Sequence, residues 1–208
     1  MKEKLLYSST WPLLFDEEDK TIESCFIKEL KKSDRLEIAV GFFSHNALEE
    51  LDRLVIQQNI KNISLILGMH YFIGFPNNNL LELALRINEK WQRSGIGEIR
   101  ITYAFRYHGK LYCFLKNNEI HSAILGSPNL SFLPLKTSSL QKCKQCEISL
   151  LLKNSETLKE IRNHMNALKA DSFSKNITSF MKNNVFLTFE TDQQKLKRHL
   201  KSNSQIFN

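Results

Sequence analysis

"YHGKLYCFLKNNEIHSAILGSPNLS", residues 107–131, sets two apolar runs on either side of Asn117 and Asn118. An Asn-Asn pair between such runs is a hairpin signal, because asparagine tolerates the left-handed backbone that tight turns demand. In the first arm His108 and Lys110 stand two positions apart, so an extended chain projects both from one face. Burying either group without a partner costs several kcal/mol, which makes core packing a poor account of the pair. The second arm ends in "GSPNLS", residues 126–131. There Gly126 lets backbone come close to a ligand, and Ser127 and Asn129 offer neutral hydrogen-bonding groups. Alone, such a segment reads as a turn; beside a His-x-Lys pair it reads as one wall of a site.

Upstream, strands and helices alternate. A helix is expected from about Glu17 to Lys32, where Ile22, Phe26, Ile27 and Leu30 recur at helical spacing behind an acidic start. "RLEIAVGFF" (35–43) reads as a strand, and "SHNALEELDRLVIQQN" (44–59) as a helix capped by Ser44 or Asn46. The cycle repeats through the strand "ISLILGM" (63–69), the helix "NNNLLELALRINEKWQRS" (77–94) and the strand "EIRITYAF" (98–105). Downstream of the hairpin, "CEISLLL" (146–152) is a strand, and Ser155 caps a helix with Leu158, Ile161, Met165 and Leu168 on one face. This order predicts an α/β protein: an α/β/α sandwich around a mixed, mainly parallel sheet. The pattern fades after residue 174, so the division expected is a domain over 1–174 and a basic tail or linker over 175–208.

With 208 residues, one well-buried domain is the natural size, and 42% hydrophobic with 25% charged residues excludes a disordered chain. Twenty-nine basic against 22 acidic residues leave a formal charge of +7, which favours phosphate-rich partners. No apolar run approaches the roughly 20 residues of a membrane span, and the start lacks a signal-peptide core, so no membrane association and a cytoplasmic location are expected. Cys25, Cys113, Cys143 and Cys146 are then reduced thiols. "CKQC" (143–146) resembles half of a zinc site, but no second ligand pair accompanies it. Glu147, an acid entering the apolar strand 146–152, is either a surface strand end or a carboxylate that accepts from an imidazole N–H and fixes its tautomer. His70 in "GMHYFIGF" either lines the cleft or plays a structural or surface part, and Tyr71, Phe72 and Phe75 either stack on bases or anchor their loop.

"HGK" at 108–110, "GSPN" at 126–129 and Glu147 on the following strand together resemble the signature of the phospholipase D (PLD) superfamily. "IAVGFFS", "LILGMHYFIGF" and "YHGKLYCF…SAILGSPNLS" are similar to the PLD-like restriction endonucleases of the NgoFVII family, over roughly residues 5–170. One position departs: the signature has Asp where Leu115 stands. The resemblance implies a catalytic set of His108, Lys110, Ser127, Asn129 and Glu147, in which one histidine attacks phosphorus and a second protonates the leaving oxygen. Only one His-x-Lys is present, so the second histidine comes from another copy and a homodimer with one shared site is expected. The implied activity is a metal-independent DNA endonuclease without cofactor, the catalytic part of a type II restriction system. Its partners would be double-stranded DNA, a second copy, and a separate DNA-recognition domain or helicase-type subunit. The alternatives are a nonspecific nuclease of the same superfamily, a phospholipase or phosphatidyltransferase, and a nucleic-acid-binding module whose site has decayed.

Overall fold

The computed structural model describes residues 3–8, 20–133, 146–183 and 185–187. In chain order it contains β1 (Lys4–Tyr7), α1 (Ile22–Leu30), β2 (Arg35–Val40), α2 (His45–Gln57), β3 (Asn62–Leu67), α3 (His70–Ile73) and α4 (Asn78–Arg93). There follow β4 (Gly97–Thr102), β5 (Lys110–Lys116), β6 (Glu119–Gly126), β7 (Ile148–Leu152), α5 (Ser155–Lys169), β8 (Ser174–Asn176), a 3₁₀ turn (Ile177–Phe180), β9 (Met181–Lys182) and β10 (Val185–Phe186).

Eight strands make one mixed sheet in the order β1-β7-β6-β5-β2-β3-β4-β8. The α/β/α sandwich is as expected: α1, α2 and α4 bury Phe26, Leu48, Leu51, Leu83 and Trp91 on one face, and α5 buries Leu158, Ile161, Met165 and Leu168 on the other. The expected parallel majority is corrected, however. Parallel pairing is confined to β2–β3–β4, where α2 and α4 serve as the crossovers that parallel neighbours need. The ladders β1–β7, β7–β6, β6–β5, β5–β2 and β4–β8 are antiparallel. The physical reason is connectivity: after β4 the chain turns back without a helix, and a hairpin joins only antiparallel strands. Asn117 and Asn118 both have positive φ (51° and 69°), the two left-handed residues of that hairpin turn.

Local chemistry sets the element ends. Thr21 caps α1 by accepting from the Ser24 N–H, and Ser44 caps α2 by accepting from Ala47. Asn154, rather than Ser155, caps α5. β2 stops at Val40 instead of running to Phe43, because the Phe42 backbone leaves the sheet to meet residues 129 and 130. The expected boundary at residue 174 falls inside the fold. Ser174–Asn176 pairs with β4, Ile177 and Phe180 are buried in the larger core, and Phe186 packs against it. Cys143 and residues 188–208, including His199, lie outside the described residues.

Candidate active site

The carboxyl ends of β2 and β6 and the amino ends of β5 and β7 meet at one edge of the sheet, and the four segments that leave them carry the predicted residues. His108, exposed, stands two residues before β5, and Lys110, 8% exposed, opens it. The Lys110 ammonium donates to the His108 carbonyl (2.7 Å) and lies 3.1 and 3.3 Å from the two ring nitrogens of His108. A histidine on the loop before the strand and a lysine at its first position are thus explained, the strand starting at Lys110 and not at His108 as the alternation suggested. They are not core residues but neighbours at the mouth of the sheet. Burial lowers the Lys110 pKa from its ordinary value, while the nearby Glu147 carboxylate acts in the opposite direction.

Asn129 sits across from this pair. Its Oδ1 accepts from the Phe42 N–H (3.1 Å), and since only the oxygen can accept, the amide NH₂ is turned away from that backbone. Gly41 makes the approach possible: a Cβ there would lie 3.0 Å from His108 Cδ2, 3.4 Å from Met69 Cγ and 3.6 Å from Asn129 Oδ1. The Phe42 ring stands edge-on to His108 at 5.8 Å. One residue therefore touches both sides of the site, its backbone holding Asn129 and its ring flanking His108.

The loop between is pinned from below. The buried Tyr112 hydroxyl donates to the Pro128 carbonyl (2.8 Å). Gly126 is required by its neighbour strand, since a Cβ there would fall 2.2 Å from Ser149 Oγ and 2.4 Å from the Ile148 carbonyl. Ser127 donates through its hydroxyl to Glu147 Oε2 and accepts from the Ile148 N–H (3.1 Å). Glu147 is held in turn by Ser8, whose hydroxyl accepts from its N–H (3.0 Å). The structure thus brings all five predicted residues to one edge, with a difference in role: the hydrogen-bond partner of the Glu147 carboxylate is Ser127, not the His108 ring.

His70 is structural. It is 1% exposed, stacked on Phe75 (4.3 Å) and edge-on to Phe43 and Phe42. Its Nδ1 pairs with the Gly74 carbonyl at 3.2 Å, and Nε2 is buried with no partner. Burial pushes its pKa from 6.5 down to about 4. Phe75 is a loop anchor, packed between His70 and Phe186. Among the described residues no three His, Cys, Asp or Glu are grouped to hold a metal ion, and Cys146 is an exposed free thiol.

Residues 20–182 match the family model of the NgoFVII restriction endonuclease N-terminal PLD domain. The chain belongs to that family. No curated protein sequence matches it. Among solved structures, Nuc from Salmonella typhimurium, a phospholipase D family member, superposes with a TM-score of 0.54 at 12% identity, covering 84% of this chain and 97% of Nuc. NucT from Helicobacter pylori gives 0.52 at 15% identity, covering 80% and 94% of the two chains. Phosphatidylserine synthase from Haemophilus influenzae gives 0.56 at 16% identity, and this chain spans 98% of its own length but 45% of that one. These likenesses establish the PLD fold. Within it, Leu115 is 1% exposed in the core beneath α5, on the opposite face of β5 from Lys110 and Tyr112. The missing signature acid therefore leaves the side chains at the mouth of the site in place.

The sequence did not single out Gly41, Phe42 or Tyr112. The glycine in "VGFF" was the available signal for the first two. Tyr112 shares the face of Lys110 by alternation, which was visible, but its partner at Pro128 depends on how the loop folds back.

Proposed function

We propose that this domain is a metal-independent DNA endonuclease, the catalytic part of a type II restriction system, whose active site is completed by a second copy of the chain. The observation that carries the reading is the single imidazole of His108, flanked by the Lys110 ammonium at 3.1 Å and facing Asn129 across Gly41. The family match supports phosphodiester bonds in DNA as the substrate.

The chemistry follows from the residue types. A His108 ring nitrogen attacks phosphorus, forming a P–N bond as one P–O bond breaks. The partner's His108, protonated, gives its proton to the departing oxygen. Water then attacks the phosphohistidine, its proton returning to the partner's imidazole as the P–N bond breaks. Histidine suits both parts because its ordinary pKa of about 6.5 lets it give and take a proton near neutrality. Lys110 and the Asn129 NH₂ stabilise the charge on the phosphoryl oxygens, the larger part of catalysis in phosphoryl transfer. Ser127 and Glu147 hold the loop, and through Glu147 the charge near Lys110 is balanced.

A second copy has a face to occupy. Leu5, Leu125, Ile148 and Leu150 are 43%, 44%, 53% and 39% exposed, and strand register sets Leu5, Leu150 and Leu125 in one row. Ile148 continues that surface to Glu147, so an isologous contact there would bring two sites together.

The test is plasmid cleavage in excess EDTA by the parent and by His108→Ala. Cleavage by the parent alone is expected. Cleavage that stops in EDTA and returns with magnesium would refute the metal-independent chemistry, and equal cutting by His108→Ala would remove His108 from the mechanism.

A further inference from the structure

We propose that a stripe of cations held on aromatic rings, running from Arg106 to Lys175, is the track on which the DNA backbone lies beside the scissile phosphate. The choice of partner rests on the nuclease reading above; the stripe itself rests on geometry.

Arg106 is exposed and stands two residues before His108. Arg53, Arg86, Arg93, Arg100 and Arg162 each lie against a carboxylate. Arg106 holds none among the described residues; its guanidinium instead lies 5.6 Å from the Phe72 ring centre. Lys175, also exposed, is placed in the same way, its ammonium 5.2 Å from the centre of Tyr103. An aromatic face holds a cation in position without neutralising it, and leaves its N–H edge open to an anion. Carboxylate-paired cations lack that availability.

The two pairs are joined. Tyr71 stands edge-on to Phe72 at 5.3 Å and lies 6.2 Å from Tyr103, so the rings are continuous beneath the two charges. Their place follows from topology. β2, β3 and β4 are parallel, so Phe42, Tyr71 with Phe72, and Tyr103 leave the sheet at the same edge as the active site. Lys175 lies in β8 opposite Ile101, one residue from that edge. The stripe therefore extends from His108 to the far side of the sheet, along the strand ends where α/β proteins bind ligands. Cations held on ring faces along one edge match a polyanion of regular charge spacing, and the nearby Asp171 carboxylate is already taken by Arg100 (2.6 Å).

The experiment measures binding separately from cutting. In the full chain carrying His108→Ala, affinity for a fluorescein-labelled DNA duplex is read by anisotropy across a salt series. Adding Arg106→Ala should lower the salt slope by about 1, Lys175→Ala by a similar amount, and the two together by about 2, because each phosphate contact contributes close to one released counterion. Arg106→Lys should keep the slope, and melting temperatures should match the parent. Slopes unchanged in both alanine variants would overturn the track, as would a slope loss seen only with RNA. The two readings fail separately. A chain that binds DNA through Arg106 yet never cleaves it sinks the nuclease and keeps the stripe, whereas a chain that cleaves normally with unaltered slopes does the reverse.

Discussion

Replacing His70 with leucine should remove a specific part of the acid sensitivity of this fold. The imidazole is sealed among Phe42, Phe43 and Phe75, with its pKa lowered from 6.5 to about 4 by burial. At pH 8 the ring is neutral folded or unfolded, so it contributes no pH dependence. As pH falls through 6.5 the unfolded chain takes a proton that the folded chain refuses until about pH 4. Stability is therefore lost over that window, by about 2 kcal/mol at pH 5 and roughly 3 kcal/mol near pH 4. In urea unfolding followed by tryptophan fluorescence, 2 kcal/mol is a midpoint shift of roughly 1 M. The parent should lose that much more between pH 8 and pH 5 than His70→Leu does. His121 shares the direction, its pKa lowered chiefly by burial, but it is present in both proteins and cancels in the comparison. Equal losses in parent and variant would refute the assignment of His70 as a sealed neutral group.

Gly126→Ala should destabilise the domain by roughly 1–3 kcal/mol, since the new methyl would overlap the Ile148 carbonyl, and should cut activity beyond that loss by displacing Ser127 and Glu147; melting and cleavage assays compare the two. Lys110→Ala should lower kcat on the order of 10²–10³-fold with DNA affinity reduced far less, which single-turnover kinetics resolves; a change confined to affinity would make Lys110 a binding group only. Leu150→Asp should leave melting nearly unchanged, because Leu150 is 39% exposed, yet convert a dimer to an inactive monomer in sedimentation; an active monomer would contradict the shared site.

The candidate site was legible because its chemistry is carried by spacing within short segments. The two-residue spacing of His108 and Lys110 announced that they act together, although only Lys110 lies in the strand, and Asn117 with Asn118 announced the turn that returns the chain to Ser127 and Asn129. Strand directions were less legible. The alternating first half of the chain is a true crossover array, but β1 and β8 join the sheet edges antiparallel from segments of four and three residues, too short to leave a periodic trace. Their attachment depends on distant partners: Leu5 on Leu150, and Asn176 on the buried Asn88 amide. The same holds for the role of Glu147. Sequence puts an acid beside the site, but the Ser127 hydroxyl claims it only because Gly126 brings β6 and β7 close.

The central claim is that two copies each give one histidine to a single phosphorus. Co-refolding the parent with an equal amount of His108→Ala and measuring cleavage in EDTA tests it, because random pairing leaves both imidazoles in about a quarter of the dimers. Activity at about a quarter of an equal total of parent protein is the predicted result; activity at about a half, as independent sites would give, would contradict it.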